Sequence, residues 1–360
     1  LKPGCRLGFE YSDCWVDDAR FVVLNIRDAA NKGARIFART KVTSARRENG
    51  AWTVTLEGED AVETVRAKMI VNAAGPWVDE VINGVLGKNG AHNVRLVQGS
   101  HIVVNKLYDH DKCYFFQNSD GRIFFAIPYE EDFTLIGTTD RDYRGDPKDV
   151  KISPEETEYL LKAASEYFAK PVTADQIVWT YSGVRPLYDD GASAAQEATR
   201  DYVLKTEGDA ATGALVNVFG GKLTTSRRLA ESVMEKVEAV LGRKGAAWTR
   251  HSTLPGGDFG PLSFDAEVRR LGMDYPDLPH DLLKRLMRLY GTKARVLLGE
   301  RKTIADLGQH FGADLYQAEV DYLVGEEWAR TAEDLLWRRT KLGLRVGPED
   351  VARLEDYLAR

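Results

Sequence analysis

The stretch at residues 215–242, LVNVFGGKLTTSRRLAESVMEKVEAVLG, constrains the fold more tightly than any other part of the chain. Its opening run, residues 215–219, is apolar enough for a buried strand. Gly220-Gly221 marks a sharp turn. Beyond it Leu229, Ala230, Val233, Met234, Val237, Val240 and Leu241 recur at the spacing of one helical face, and Gly242 stands where a helix ends. Paired glycines at a strand-to-helix turn let backbone come close to a flat or anionic ligand, toward which the first helical N–H groups point. Lys222, Thr224 and Thr225 add a cation and two hydroxyls there. The same turn also occurs in α/β folds that hold no ligand, so the spacing alone leaves both readings open.

Upstream, residues 13–33 place Trp15, Ala19, Val22, Val23, Ile26, Ala29 and Ala30 on one apolar face. Asp17 and Asp18 lie near its start, where the helix dipole favours negative charge, and a helix closed by Gly33 is expected. Alternation predicts strands at 35–42, 51–56 and 62–70, separated by Glu48-Asn49-Gly50 and Gly58-Glu59-Asp60. This meander feeds residues 69–72, a strand of the buried parallel kind, which runs into Ala73-Ala74-Gly75-Pro76-Trp77. Small residues at the carboxyl end of such a strand leave room for a ligand. The plainer reading is a strand-to-helix turn with Pro76 at the first helical position.

Residues 94–178 change character, with short strands at 96–97, 100–104, 113–117, 123–128 and 133–137 and one amphipathic helix at 154–168. An antiparallel, substrate-binding lobe inserted into a nucleotide-binding fold is expected. After Leu254-Pro255-Gly256-Gly257 the pattern is almost entirely helical. The expected division is a nucleotide-binding part at 1–93 and 177–255, which the family resemblance described below makes the FAD-binding domain, an inserted lobe at 94–176 and an all-α domain at 256–360. The fold class is α/β, and α+β when all parts are counted.

Composition matters here for what it excludes. A net charge of −6 without a basic arm or a recognised nucleic-acid motif argues against nucleic-acid binding. Three cysteines, Cys5, Cys14 and Cys113, lack metal-ligand spacing and suggest a reducing compartment. No apolar run approaches the length of a membrane span.

Five blocks taken together resemble a known family: NAAGPW (residues 72–77), QGSHIVV (98–104), IGTTDRDYRGDP (136–147), WTYSGVRPL (179–187) and FGGKLTT (219–225). In this order they resemble the FAD-dependent glycerol-3-phosphate dehydrogenases of the aerobic, quinone-linked type. The resemblance runs from GFEYSDCWVDDAR at 8–20 to LWRRTKLGL at 336–344. One departure stands out. Members of that family begin with a strand, a G-x-G-x-x-G turn and a helix that hold the ADP half of FAD, whereas this chain contains no such motif and opens on Leu1. The chain is therefore read as lacking the pyrophosphate cradle.

The resemblance implies a Rossmann-like FAD-binding fold that oxidises sn-glycerol 3-phosphate to dihydroxyacetone phosphate and passes electrons to a membrane quinone. It implies that Ala74, Gly75, Gly220, Gly221, Lys222, Leu223, Thr224 and Thr225 face the flavin, and Val42 is counted with them. Arg185, Arg200 and Lys222 form a positive substrate site by the same resemblance, and His101 becomes the base that takes the alcohol proton. On pattern alone a lone arginine is more often a surface ion pair, and a histidine in an apolar strand is more often a satisfied core residue. Thr138, Thr139 and Asp140 read as structure rather than ligand contacts, as do Asp13, Asp17, Asp18 and Arg20 read as an ion-pair cluster.

Two basic amphipathic stretches, 281–302 and 337–345, fit either ordinary solvated helix faces or attachment to an anionic membrane. The expectation is a cytoplasmic protein, peripheral on the inner face of the membrane, and a homodimer is compatible with the sequence. Two competing readings stay open: a related oxidase that reduces oxygen, and a non-catalytic interaction module.

Overall fold

The computed structural model describes residues 1–5, 7–88, 90–118, 120–189 and 201–360. Strand alternation sets its first layer. In β1 (Lys41–Glu48), β2 (Ala51–Glu57) and β3 (Val62–Ala67), Trp52, Val54 and Leu56 point to one buried face, and the three strands form an antiparallel meander. The expected strand at 35–42 shifts by several residues. Ala38 and Arg39 make a turn, with Arg39 at φ 53°, so the strand begins at Lys41 and a bulge follows Val42. β3 leads directly into β4 (Met69–Asn72).

The second sheet contains β5 (Val94–Asn105), β6 (Tyr114–Gln117), β7 (Ile123–Tyr129), β8 (Phe133–Gly137), β9 (Arg141–Asp142) and β10 (Ile177–Tyr188). Its order is β10-β5-β8-β7-β6, all antiparallel, with β9 against β5. Alternate residues serve opposite faces. Ile102, Val104, Phe124, Ala126 and Ile136 pack on the helix Pro154–Tyr167 through Leu160, Ala163 and Ala164. That helix starts where the sequence says it should, with Ser153 and Glu156 in a reciprocal capping box and Pro154 in the first turn. β10 pairs with β5 along its length, so the boundary expected at residue 177 runs through this sheet.

The third sheet joins β11 (Val203–Glu207), β12 (Ala214–Phe219) and β4, with β12 parallel to β4 and antiparallel to β11. Every residue of β12 is buried, as its apolar run requires. The helix Ser226–Leu241 follows the diglycine turn as expected.

The chain divides into two compact units, Leu1–Tyr11 with Arg39–Ala247, and Ser12–Ala38 with Trp248–Arg360. The helix over 13–33 is shorter than expected, Asp18–Asn31, with Asp17 as its cap. It belongs to the second unit, apart from residues 1–11 and 39–93, which fall in the first. Charge explains why. Buried Arg20 donates Nη2 to Glu327 Oε1 at 2.8 Å, forms an ion pair from Nη1, and donates Nε to Leu289 O at 3.1 Å. Asp17 pairs with Lys341 at 2.6 Å. The remaining helices, Phe264–Asp274, His280–Tyr290, Ala294–Leu298, Gln317–Glu327 and Pro348–Leu358, surround a core that includes Leu271, Leu286, Leu298 and Leu323.

The basic stretches of this unit supply much of that ion pairing. Arg285 grips Glu319 through both terminal nitrogens, at 2.8 and 2.7 Å, while Arg295 meets Asp274 and Arg338 meets Glu333 and Asp334. No helix among the described residues is long and apolar enough to cross a membrane.

Candidate active site

His101 and Arg185 stand on the face of the second sheet opposite its helix. His101 in β5 lies across from Tyr181 in β10 and Gly137 in β8. Its ring stacks on the Tyr181 ring, with centroids 4.8 Å apart and planes 10° from parallel. Gly137 is what admits that ring, because a Cβ there would sit 2.0 Å from His101 Cδ2. Burial, reinforced by the Arg185 charge, lowers the His101 pKa to about 4, so the imidazole is neutral at ordinary pH. Among the described residues its buried Nδ1 has no hydrogen-bond partner.

Arg185 lies opposite Val97, and its guanidinium covers Gly99, where a Cβ would come within 2.7 Å of its carbon. Three consecutive residues hold it. Nη1 donates to Asp140 Oδ1 at 2.9 Å and to Thr139 O at 3.3 Å, while Nη2 donates to Thr138 Oγ1 at 3.0 Å. The ion pair expected of an ordinary arginine is present, yet it sits on a half-buried sheet face rather than on a solvated surface. Thr138, Thr139 and Asp140, read from sequence as structural, are the residues that orient this cation.

The two glycine turns lie at strand ends in the same unit. Gly220 has φ 69° and Gly221 φ 107°, conformations that side chains resist. A Cβ on Gly220 would meet Asp201 O at 2.9 Å and approach the backbone of Tyr188 and Pro186 within 3.7 Å, so this turn abuts the end of β10 just beyond Arg185. Lys222, two residues on, is exposed and begins the short turn over Leu223–Thr225. The Ala74-Gly75 turn is anchored by buried Asn72. Its Nδ2 donates to Asn217 Oδ1 at 2.9 Å across the β4–β12 pair and to Val78 O at 3.1 Å. Asn72 and Asn217 escaped the sequence reading, although an amide inside an otherwise apolar strand pair is the signal that finds them.

Val42 stands apart from these groups in sequence and sheet, at the start of β1 in the meander. Arg200 lies outside the described residues.

A planar cofactor suits this arrangement. Gly99 and Gly137 leave room only for Arg185 and His101, Gly183 and Gly75 face open space, and His101 Nδ1 is a buried polar atom to which the described residues supply no partner. The turns at Gly75 and Gly220-Gly221 are the residues that would hold such a group.

The comparisons with known proteins agree with a flavin-type oxidoreductase. The family described as FAD dependent oxidoreductase matches residues 1–227, and the C-terminal domain of alpha-glycerophosphate oxidase matches residues 247–359. The aerobic glycerol-3-phosphate dehydrogenase of Escherichia coli is 45% identical over 360 residues, covering 99% of this chain and 72% of that protein. The D-erythritol 1-phosphate dehydrogenase of Brucella abortus is 46% identical over 336 residues, covering 93% and 67%. Among solved structures, the glycerol-3-phosphate dehydrogenase of Bacillus halodurans complexed with FAD superposes with a TM-score of 0.75 at 27% identity, covering 95% of this chain and 72% of that one. The chain belongs to the FAD-dependent glycerol-3-phosphate dehydrogenase family.

Proposed function

We propose that this chain oxidises sn-glycerol 3-phosphate to dihydroxyacetone phosphate, with the electrons passing on to a membrane quinone. The observation that carries the site assignment is the pairing of a neutral, half-buried His101 with Arg185 on one glycine-floored sheet face. The turns at Ala74-Gly75 and at residues 220–225 would hold the cofactor. FAD supplies, when bound, the two-electron acceptor for the hydride that leaves C2.

The protein's part is to manage the proton and the charges. His101, unprotonated, takes the hydroxyl proton as the C–H bond breaks. Arg185 stabilises the oxygen on which negative charge develops, and its rigid fork is already aligned by residues 138–140. Lys222 supplies a mobile point charge for the phosphate. Arg185→Ala in the FAD-loaded protein is expected to lower kcat/KM by about a hundredfold or more. Wild-type kinetics would remove Arg185 from the site.

Two further measurements refine the reading. The Brucella relative acts, by its name, on a four-carbon polyol phosphate, so kcat/KM for sn-glycerol 3-phosphate is expected to exceed that for D-erythritol 1-phosphate. The oxidase named in the C-terminal match makes the acceptor a question: reduction of a soluble quinone analogue should outrun oxygen consumption. Contact with a membrane follows from a quinone acceptor, and co-sedimentation with anionic vesicles tests it.

A further inference from the structure

On the opposite side of the second sheet from His101, Glu156 is buried in the first turn of the Pro154–Tyr167 helix. Its capping role needs only the reciprocal bonds with Ser153. It does more than that. Oε1 accepts from Ser100 Oγ at 2.9 Å and from Thr139 Oγ1 at 2.6 Å, and Oε2 accepts from Gln98 Nε2 at 2.9 Å. A buried carboxylate that gathers donors from one strand, a loop and its own helix cap is costly to build unless each bond is made. Merely filling space beneath the sheet would be served as well by an apolar side chain.

The loop it holds is the one that grips Arg185. Thr139 is buried, and its hydroxyl, while donating to Glu156, accepts from Ser100 N at 2.9 Å. The carbonyl of the same residue accepts from Arg185, flanked by Thr138 Oγ1 and Asp140 Oδ1. Thr139 therefore connects the helix side of the sheet to the site side.

We propose that Glu156, acting through Thr139, is a positioning residue for the reaction: it fixes residues 138–140 and thereby the direction of the Arg185 guanidinium. The inference rests on the reading of Arg185 as a substrate residue. Its removal should weaken substrate and product binding without loss of cofactor, because the hydrogen bonds of Glu156 and Thr139 among the described residues run to Gln98, Ser100, Ser153 and Arg185 and not to the glycine turns.

The test uses the FAD-loaded protein and the variants Thr139→Val, Thr139→Ser and Glu156→Gln, each alone and combined with Arg185→Lys. Thr139→Val is expected to lower kcat/KM for sn-glycerol 3-phosphate by about ten- to a hundredfold, in line with an ångström-scale misplacement. The dissociation constant of dihydroxyacetone phosphate should rise in parallel, while flavin content stays at the wild-type level. Thr139→Ser, which keeps the hydroxyl, should restore both quantities. In the Arg185→Lys background Thr139→Val should cost little more, since residues acting as one unit are not additive. Should Thr139→Val fail to retain FAD, Glu156→Gln is read by the same criteria. Wild-type kinetics in both variants, or an equal loss with and without Arg185→Lys, overturns the positioning role. Wild-type kinetics in Arg185→Lys itself would instead overturn the placement of Arg185 at the substrate.

Discussion

A neutral histidine beside a fixed cation has consequences that can be measured at single atoms. Burial is the larger cause of the lowered His101 pKa and Arg185 the smaller, and both oppose protonation. In a histidine-labelled sample His101 should stay unprotonated as pH falls through 6.5, the ordinary value for the residue, and titrate only near 4. Arg185→Ala should move that midpoint upward, because a positive neighbour has gone, yet leave it below 6.5, because burial remains. A His101 resonance that titrates normally in the native protein would contradict this. The second residue-scale prediction concerns Gly137. Alanine there places a methyl on the imidazole ring, so Gly137→Ala should cut kcat by about a hundredfold, as expected for a base displaced by roughly an ångström. Flavin absorbance should be retained.

Individual elements differ in how much of them the sequence disclosed. The strand, diglycine turn and helix around residues 214–241 were legible because an apolar run, two glycines and a 3.6-residue repeat all agree. So was the Pro154–Tyr167 helix, with a capping box and proline at its start. The start of β1 was not, since residues 35–42 alternate like a strand but the turn at Ala38-Arg39 contains neither glycine nor proline. The candidate site drew on two kinds of signal. His101 and Arg185 were named through family resemblance, whereas Glu156, Gln98 and Ser100 look like ordinary polar residues until the sheet brings them together. At this scale the sharpest prediction is Leu160→Ala. Leu160 is fully buried between helix and sheet, and its truncation should destabilise the first unit by about 2–5 kcal/mol in denaturant unfolding.

Across the whole molecule, the unexpected feature is the return of Ser12–Ala38 to the C-terminal unit. Residues 248–360 expressed alone would lack Arg20, leaving Glu327 as a buried carboxylate without its bidentate partner. Arg20→Ala in the full chain should therefore cost about 3 kcal/mol, the low end of the penalty for breaking a buried pair, because Arg339 Nε remains 3.7 Å from Glu327 Oε2. Residues 248–360 by themselves should give a broad, poorly cooperative melt by circular dichroism, and added peptide spanning 12–38 should sharpen it. A cooperative melt without the peptide would show the contact to be dispensable.

The separation between Arg20 and Glu327 also fixes an order of events during synthesis. They lie 307 residues apart, so at ribosomal speed the guanidinium emerges roughly 15 to 60 s before its carboxylate exists. The helix Asp18–Asn31 must wait through the appearance of all three sheets, its arginine hydrated and its apolar side accessible to chaperones. A carboxylate made 307 residues later is thus what locks down the helix that carries Arg20.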